Sequence, residues 1–270
     1  MQIWQAIVLG LVQGLTEFLP VSSSGHLAFF MKCFGMDGIL FYSILLHLGT
    51  LVAVCAVFWK DIIDLFKRPF KTLGYLVLAT IPAGVAGLFL DDIIEDYVDG
   101  SAYFALILAC LCLVTAAVLF STERYSRKRE GELPLRYRTV LPMAFAQVFA
   151  ILPGISRSGF TICAGTLAGG KRETVARFSF LMSIPMILGS FIVELAKGCY
   201  KGTIQAEVSA GGSTLIWAVI LGFIFAAAAG FVAVKVTYKA VTKANFKWFS
   251  LYLVIFAVVC IIMQFTYFAV

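Results

Sequence analysis

Gln13-Gly14-Leu15-Thr16-Glu17-Phe18-Leu19-Pro20-Val21-Ser22-Ser23-Ser24-Gly25-His26 interrupts an apolar stretch that otherwise runs from residue 3 to residue 36. Pro20 stops a helix, and residues 22–25 form a small-residue turn. Gln13 and Glu17 are four apart, so they share one helical face directed at that turn. The surroundings decide what this means. Hydrophobic residues make up 61% of the 270, charged residues only 13%, and mean hydropathy is +0.96; soluble domains run at about 45–50% and about 25%. The solvent for most of this surface is lipid, where broken backbone is tolerated only if protein shields it. The stretch therefore reads as a re-entrant hairpin, helix–loop–helix, that enters the membrane and returns on the same side. Residues 139–170 are broken in the same way, by Leu152-Pro153-Gly154-Ile155-Ser156-Arg157-Ser158-Gly159-Phe160-Thr161.

Between and beyond the two hairpins, apolar runs near residues 39–59, 72–90, 102–120, 173–196, 213–234 and 248–270 reach the roughly 20 residues needed to span a bilayer. The expected fold is an all-α polytopic membrane protein: six transmembrane helices plus two re-entrant hairpins, in one integral membrane domain covering 1–270. The N-terminus has no basic start with a small-residue cleavage site, so residues 1–19 are expected in the mature fold.

Charge sets the expected orientation. Lys60, Lys67, Arg68 and Lys71 lie in loop 60–71, and Arg124, Arg127, Lys128, Arg129, Arg136 and Arg138 in loop 121–138. Lys171, Arg172 and Arg177 follow the second hairpin, and Lys235, Lys239, Lys243 and Lys247 occupy 235–247. Six spans and two hairpins put all of these, 17 of the 21 Lys and Arg, on one face, which the positive-inside tendency makes cytoplasmic. Lys32, Lys197 and Lys201 and the acidic Asp91, Asp92, Glu95, Asp96 and Asp99 fall opposite, and both termini are placed outside. The net charge of +6 is thus a topology signal, with no nucleic-acid partner implied. Loop 121–138 is also placed to meet anionic headgroups, although orientation alone accounts for it.

The halves echo one another. Gln13, Ser22, Ser24 and Gly25 recur 134 residues later as Gln147, Ser156, Ser158 and Gly159. Three spans separate the hairpins, so the second enters from the opposite face. Halves of about 1–120 and 139–270, joined by loop 121–138, form an inverted-topology repeat. Such folds bring broken helices tip to tip near the midplane, where half-helix N-termini favour anions.

The loop residues carry matching chemistry. A carboxylate in a bilayer is costly, which makes Glu17 a functional candidate, with a loop-capping hydrogen bond as the alternative. The hydroxyls of Ser22, Ser23 and Ser24 and the N–H of Gly25 could surround an oxyanion; the structural alternative is a cap for the returning helix, with Ser24 the expected cap. His26 could serve as acid, base or phosphoryl acceptor. His47, inside an apolar run, is expected to be a packing or hydrogen-bonding residue. Arg157 presents a planar fork suited to phosphate, the alternative being a salt bridge to Glu17. Gly154, Ser156, Ser158 and Thr161 flank it as donors. Acid, histidine, hydroxyls and arginine together point to phosphoryl transfer from a membrane-embedded substrate. The seven cysteines sit in apolar runs, and Cys110-Leu-Cys112 reads as helix packing rather than metal or redox chemistry. Gly10 and Gly14 have helix-packing spacing that serves contact within the chain or a homodimer equally.

Glu17-Phe-Leu-Pro-Val-Ser-Ser-Ser-Gly-His26 and Pro153-Gly-Ile-Ser-Arg-Ser-Gly-Phe-Thr161 closely resemble the two signature motifs of the bacterial undecaprenyl-diphosphate phosphatase, or bacitracin-resistance, family. The likeness extends to Leu48-Gly-Thr50, Ile81-Pro-Ala83 and Phe178-Ser-Phe-Leu181. It implies an enzyme of the bacterial cytoplasmic membrane that removes the terminal phosphate of undecaprenyl diphosphate at the outer face, giving the lipid carrier of cell-wall synthesis. By motif, Glu17, Ser23, His26 and Arg157 would be catalytic, and Gln13, Ser22, Ser24, Gly25, Gly154, Ser156, Ser158 and Thr161 would line the diphosphate site. The family is helped by a divalent cation, Mg2+ or Ca2+. Its first motif begins with Glu or Gln, and this chain has the uncharged Gln13, so any protein ligand to the cation would be Glu17 with Gln13 nearby. The acceptor stays open between Ser23, His26 and water. The runner-up reading is a prenyl-phosphate flippase or anion transporter, since inverted repeats with discontinuous helices are common in carriers.

Overall fold

The computed structural model describes residues 2–36, 40–94, 97–98, 100–126, 133–242 and 246–268. Eleven helices occupy them: α1 (Ile3–Phe18), α2 (Ser23–Cys33), α3 (Leu40–Val57), α4 (Trp59–Leu65), α5 (Lys71–Ile94), α6 (Phe104–Ser126), α7 (Tyr137–Phe149), α8 (Arg157–Leu167), α9 (Arg172–Lys201), α10 (Thr203–Thr242) and α11 (Phe246–Met263). A π turn, Gln264–Phe268, extends α11, and the single β-bridge among the described residues joins Leu133 to Gly170.

Five helices are long and apolar enough to cross a membrane, and a sixth is added if α3 and α4, bent by 81° about Phe58, count as one. The chain is a multi-pass membrane protein. The helices run further than the apolar runs: α6 continues to Ser126, α9 from Arg172 to Lys201, and the last span of α10 covers Thr214–Thr242 after a break at Gly212 (φ 57°). Charged residues at span ends stay helical because their apolar stems lie along the helix while the heads reach water. Arg124, Lys235 and Lys239, read as loop residues, are helical. Arg127, Lys128, Arg129 and Lys243 of the basic segments, Glu95, Asp96 and Asp99 of the acidic one, and the ends of two expected spans lie outside the described residues, as do the side chains of Asp91 and Asp92.

By contrast α1, at 16 residues, and α2 and α8, at 11 each, are too short to span: at about 1.5 Å per residue none approaches the roughly 30 Å hydrocarbon core. Each packs on its hairpin partner, α1 on α2 and α7 on α8. Several of the other pairings recur in matched form. α1 lies on α10 as α7 lies on α5; α3 on α10 as α9 on α5; α6 meets α11, and α3 meets α9.

Small residues permit the tightest of these contacts. A Cβ at Gly14 would lie 2.5 Å from the Ala226 carbonyl oxygen, and one at Gly10 would collide with the Gly222 carbonyl. The Gly10–Gly14 face is therefore consumed within the chain, against α10. Tyr42 of α3, fully buried, fills the space opposite Gly222 and donates its hydroxyl to the Ala6 carbonyl at 2.5 Å. This packing holds α1, α3 and α10 together.

Candidate active site

α1 stops where Leu19, held extended (φ −65°, ψ 143°), precedes Pro20. The chain turns through Ser22, a non-glycine residue at φ 69°, and α2 begins at Ser23. Ser22 is the N-cap, its Oγ accepting from Gly25 N–H at 3.4 Å and, across the hairpins, from Gly154 N–H at 2.9 Å. The expected cap, Ser24, is instead exposed within α2, and the single hydroxyl at residue 22 serves both loops.

The second loop answers in kind. Ser156 caps α8, accepting from Gly159 N–H at 3.1 Å. Gly154 adopts φ 103°, open to glycine alone, and its carbonyl accepts from Thr115 of α6 at 3.0 Å. Ser158 donates to the Leu19 carbonyl at 3.1 Å, closing the joint from the other side. A Cβ at Gly25 would stand 3.0 Å from Gly154 N, so the tips meet backbone to backbone. Ser23 and Arg157 take the same place, the first residue of the returning helix, in their respective hairpins.

Those two residues converge on Glu17, whose side chain is 5% exposed. The Arg157 guanidinium donates through Nη2 to Glu17 Oε1 and forms an ion pair with it. Ser23 Oγ donates to Oε2 at 2.5 Å, and Gln13 Nε2 donates to the same oxygen at 2.8 Å. The alternative readings of Glu17 and Arg157 thus hold as contacts, without exhausting either group's capacity. Arg157 Nη1 and Gln13 Oε1, both buried, find no hydrogen-bond partner among the described residues. An unpaired guanidinium nitrogen in a buried joint is expensive unless an anion completes it.

Not every expected residue faces this cluster. His26 is 2% exposed, and both ring nitrogens are committed: Nδ1–H donates to the Ser22 carbonyl at 2.8 Å, and Nε2 accepts from the Tyr252 hydroxyl at 2.8 Å. Its ring stacks on Phe256 of α11, centroids 3.9 Å apart. No contact joins it to Glu17 or Arg157 among the described interactions. Thr161 donates back to the Arg157 carbonyl at 2.8 Å and pairs with Ser179 of α9 at 2.7 Å, so it braces α8. His47, expected as a packing or hydrogen-bonding residue, also reaches toward the cluster. Its Nδ1–H donates to the Ser43 carbonyl at 2.9 Å, as a packing role requires, but Nε2 lies 3.9 Å from Glu17 Oε2.

The donor set does not make a resident cation site. The single carboxylate is already paired with a guanidinium and accepts from an amide and a hydroxyl, beside it stands one unpartnered amide oxygen, Gln13 Oε1, and the described residues hold no group of three His, Cys, Asp or Glu that could bind a metal. Mg2+ in such a place would be held by phosphate oxygens and water, arriving as part of the substrate.

The sequence of this chain matches a family model described as Bacitracin resistance protein BacA over residues 6–259. Among curated proteins it is 38% identical to the undecaprenyl-diphosphatase of Carboxydothermus hydrogenoformans, over 98% of each chain. It is 35% identical to that of Methanosphaera stadtmanae and 37% identical to that of Bacteroides fragilis, over 98% of this chain and 99% of each relative. With a match that takes in both hairpins and every helix packed around Glu17, the chain belongs to the bacitracin resistance protein BacA family.

Proposed function

We propose that this protein is an undecaprenyl-diphosphate phosphatase, hydrolysing the terminal phosphate of undecaprenyl diphosphate to give undecaprenyl phosphate and inorganic phosphate, and so conferring resistance to bacitracin. The observation that carries the reading is the convergence of a serine hydroxyl and an arginine on one buried carboxylate where two hairpin tips meet. The relatives' shared name supplies the substrate.

The geometry favours Ser23 as acceptor. Its hydroxyl already donates to Glu17 Oε2, so the carboxylate takes the proton as Oγ bonds to the terminal phosphorus and the bridging P–O bond breaks, releasing prenyl monophosphate. Water then attacks the phosphoserine, restores the hydroxyl and frees phosphate. Arg157 Nη1, with the N–H groups at the start of α2 and α8, balances charge on the equatorial oxygens. His26, with both nitrogens engaged, holds Ser22 and so the joint. A divalent cation bound with the diphosphate would supply positive charge to the phosphate oxygens, and Gln13 Oε1, buried without a hydrogen-bond partner among the described residues, is the protein oxygen that would be free to meet it.

Six spans and two re-entrant hairpins, as halves of an inverted repeat, complete the reading, with the site opening to the outer face of the cytoplasmic membrane and both termini outside. The short hairpin helices and the repeated pairing of α1 with α10 and α7 with α5 support it. The same pairing is the one feature that favours a carrier. Phosphate release from a short-chain prenyl diphosphate by the purified protein, run beside translocation of prenyl phosphate in vesicles, separates the two. Release without translocation is expected; translocation without release reverses the assignment.

A further inference from the structure

His47 stands outside both hairpins, on α3, yet its Nε2 is within ion-pair range of Glu17, as is the Arg157 guanidinium. Its environment settles its tautomer. A carbonyl only accepts, so the bond to Ser43 at 2.9 Å places the proton on Nδ1 and leaves the neutral ring with a lone pair on Nε2. That lone pair faces Glu17 Oε2 at 3.9 Å, too long for a direct hydrogen bond and close enough for a small shift to make one. Two acceptors turned toward one another are unfavourable until a proton lies between them.

Oε2 is also the oxygen that receives Ser23 Oγ at 2.5 Å, while Oε1 is held by Arg157. The order in space is therefore hydroxyl, carboxylate oxygen, imidazole nitrogen. His26 offers no such arrangement, since Tyr252 already occupies its Nε2. His47 differs further in being partly open, its side chain 32% exposed against 5% for Glu17.

We propose that His47 is a positioning residue of the phosphatase reaction, acting through Glu17; this rests on the phosphatase reading above. As Ser23 Oγ bonds to phosphorus, its proton passes to Glu17 Oε2 and on to His47 Nε2. The imidazolium so formed keeps Nδ1–H on Ser43 and now donates to Glu17, which stays ionised and paired with Arg157. In the second half water bonds to phosphorus as the Ser23 Oγ–P bond breaks, the His47 proton returns through Glu17 to the serine oxygen, and the proton given up by water leaves with the inorganic phosphate, so the pair ends each cycle as it began.

The test uses His47→Asn and His47→Ala in the full-length protein in detergent, with a short-chain prenyl diphosphate. The asparagine amide retains a donor for the Ser43 carbonyl but has no basic nitrogen at the Nε2 position. Loss of proton transfer costs about 10²-fold in kcat at the lower end of the usual range, with KM within about threefold. Added imidazole restores at least about tenfold of the kcat lost by His47→Ala, which a packing role would not allow. His47→Asn at wild-type kcat, absence of imidazole rescue at unchanged melting temperature, or unfolding of both variants each overturns the proposal. If the wild-type protein itself releases no phosphate, the phosphatase reading fails instead.

Discussion

Replacing Arg157 by lysine keeps the charge and removes the fork, and the structure sets the size of the effect. In the native joint Nη2 is spent on Glu17 Oε1 while Nη1 is buried without a partner, so one guanidinium can hold the carboxylate and an anion together. A lysine ammonium is a single point charge on a flexible stem and must divide itself between the two. Either the phosphoryl group loses a charge-assisted donor present in the transition state, or Glu17 is left with an unanswered buried charge. Removing one such donor costs about 3–4 kcal/mol, and at about 1.4 kcal/mol per decade this is about 10²–10³-fold in kcat. Phosphate release by the purified variant, with folding checked by melting in the same detergent, measures it. Arg157→Lys turning over within about threefold of wild type, with KM unchanged, would refute the clamp.

Other perturbations probe the rest of the joint. Ser22→Ala leaves the Gly154 N–H, and more weakly the Gly25 N–H, buried without an acceptor, which lowers stability by about 1–3 kcal/mol; denaturant unfolding that shows no loss removes the bridge from the account. Gln13→Glu sets a second carboxylate beside Glu17 and should sharpen the dependence of turnover on Mg2+ or Ca2+, whereas an unchanged cation titration separates Gln13 from the diphosphate. Rapid quench of a turnover mixture should trap an acid-stable phosphoserine absent from Ser23→Ala. An acid-labile adduct lost in His26→Ala would instead return the nucleophile to His26.

Much of this was legible from Gln13–Glu17 and the two interrupted stretches. Local rules identify a helix broken by Pro20, a face shared by residues four apart, and a carboxylate and an arginine too costly to bury separately. The all-helical, multi-pass reading agrees with the five or six long apolar helices found, although the expected spans were short by several residues where charged side chains continue a helix. What stayed hidden depends on which faces meet across the fold. Nothing in the apolar surroundings of His47 says that α3 turns that residue toward α1, because the approach is set by Gly14 and Gly49 letting α10 lie close against both helices. Ser23 and His26 are three residues apart on α2, yet one turns to Glu17 and the other to Tyr252 and Phe256 of α11, a partner 226 residues away in sequence for the hydrogen bond. The choice of Ser22 over Ser24 as cap likewise needs the second loop, whose Gly154 N–H requires an acceptor.

The claim that ties these observations together is that Glu17 is the base of a phosphatase centre built from both hairpins. Glu17→Gln keeps the shape and, with its amide oxygen toward Arg157, an acceptor for the guanidinium, while its NH2 can donate to Gln13 once that amide turns over; it cannot take the Ser23 proton. Inorganic phosphate released from a short-chain prenyl diphosphate by wild-type and Glu17→Gln protein, in one preparation with matched melting, is the most direct test. The account predicts steady release by the wild type and a loss of at least about 10²-fold in the variant. Equal release by the two, or none by the wild type, would contradict it.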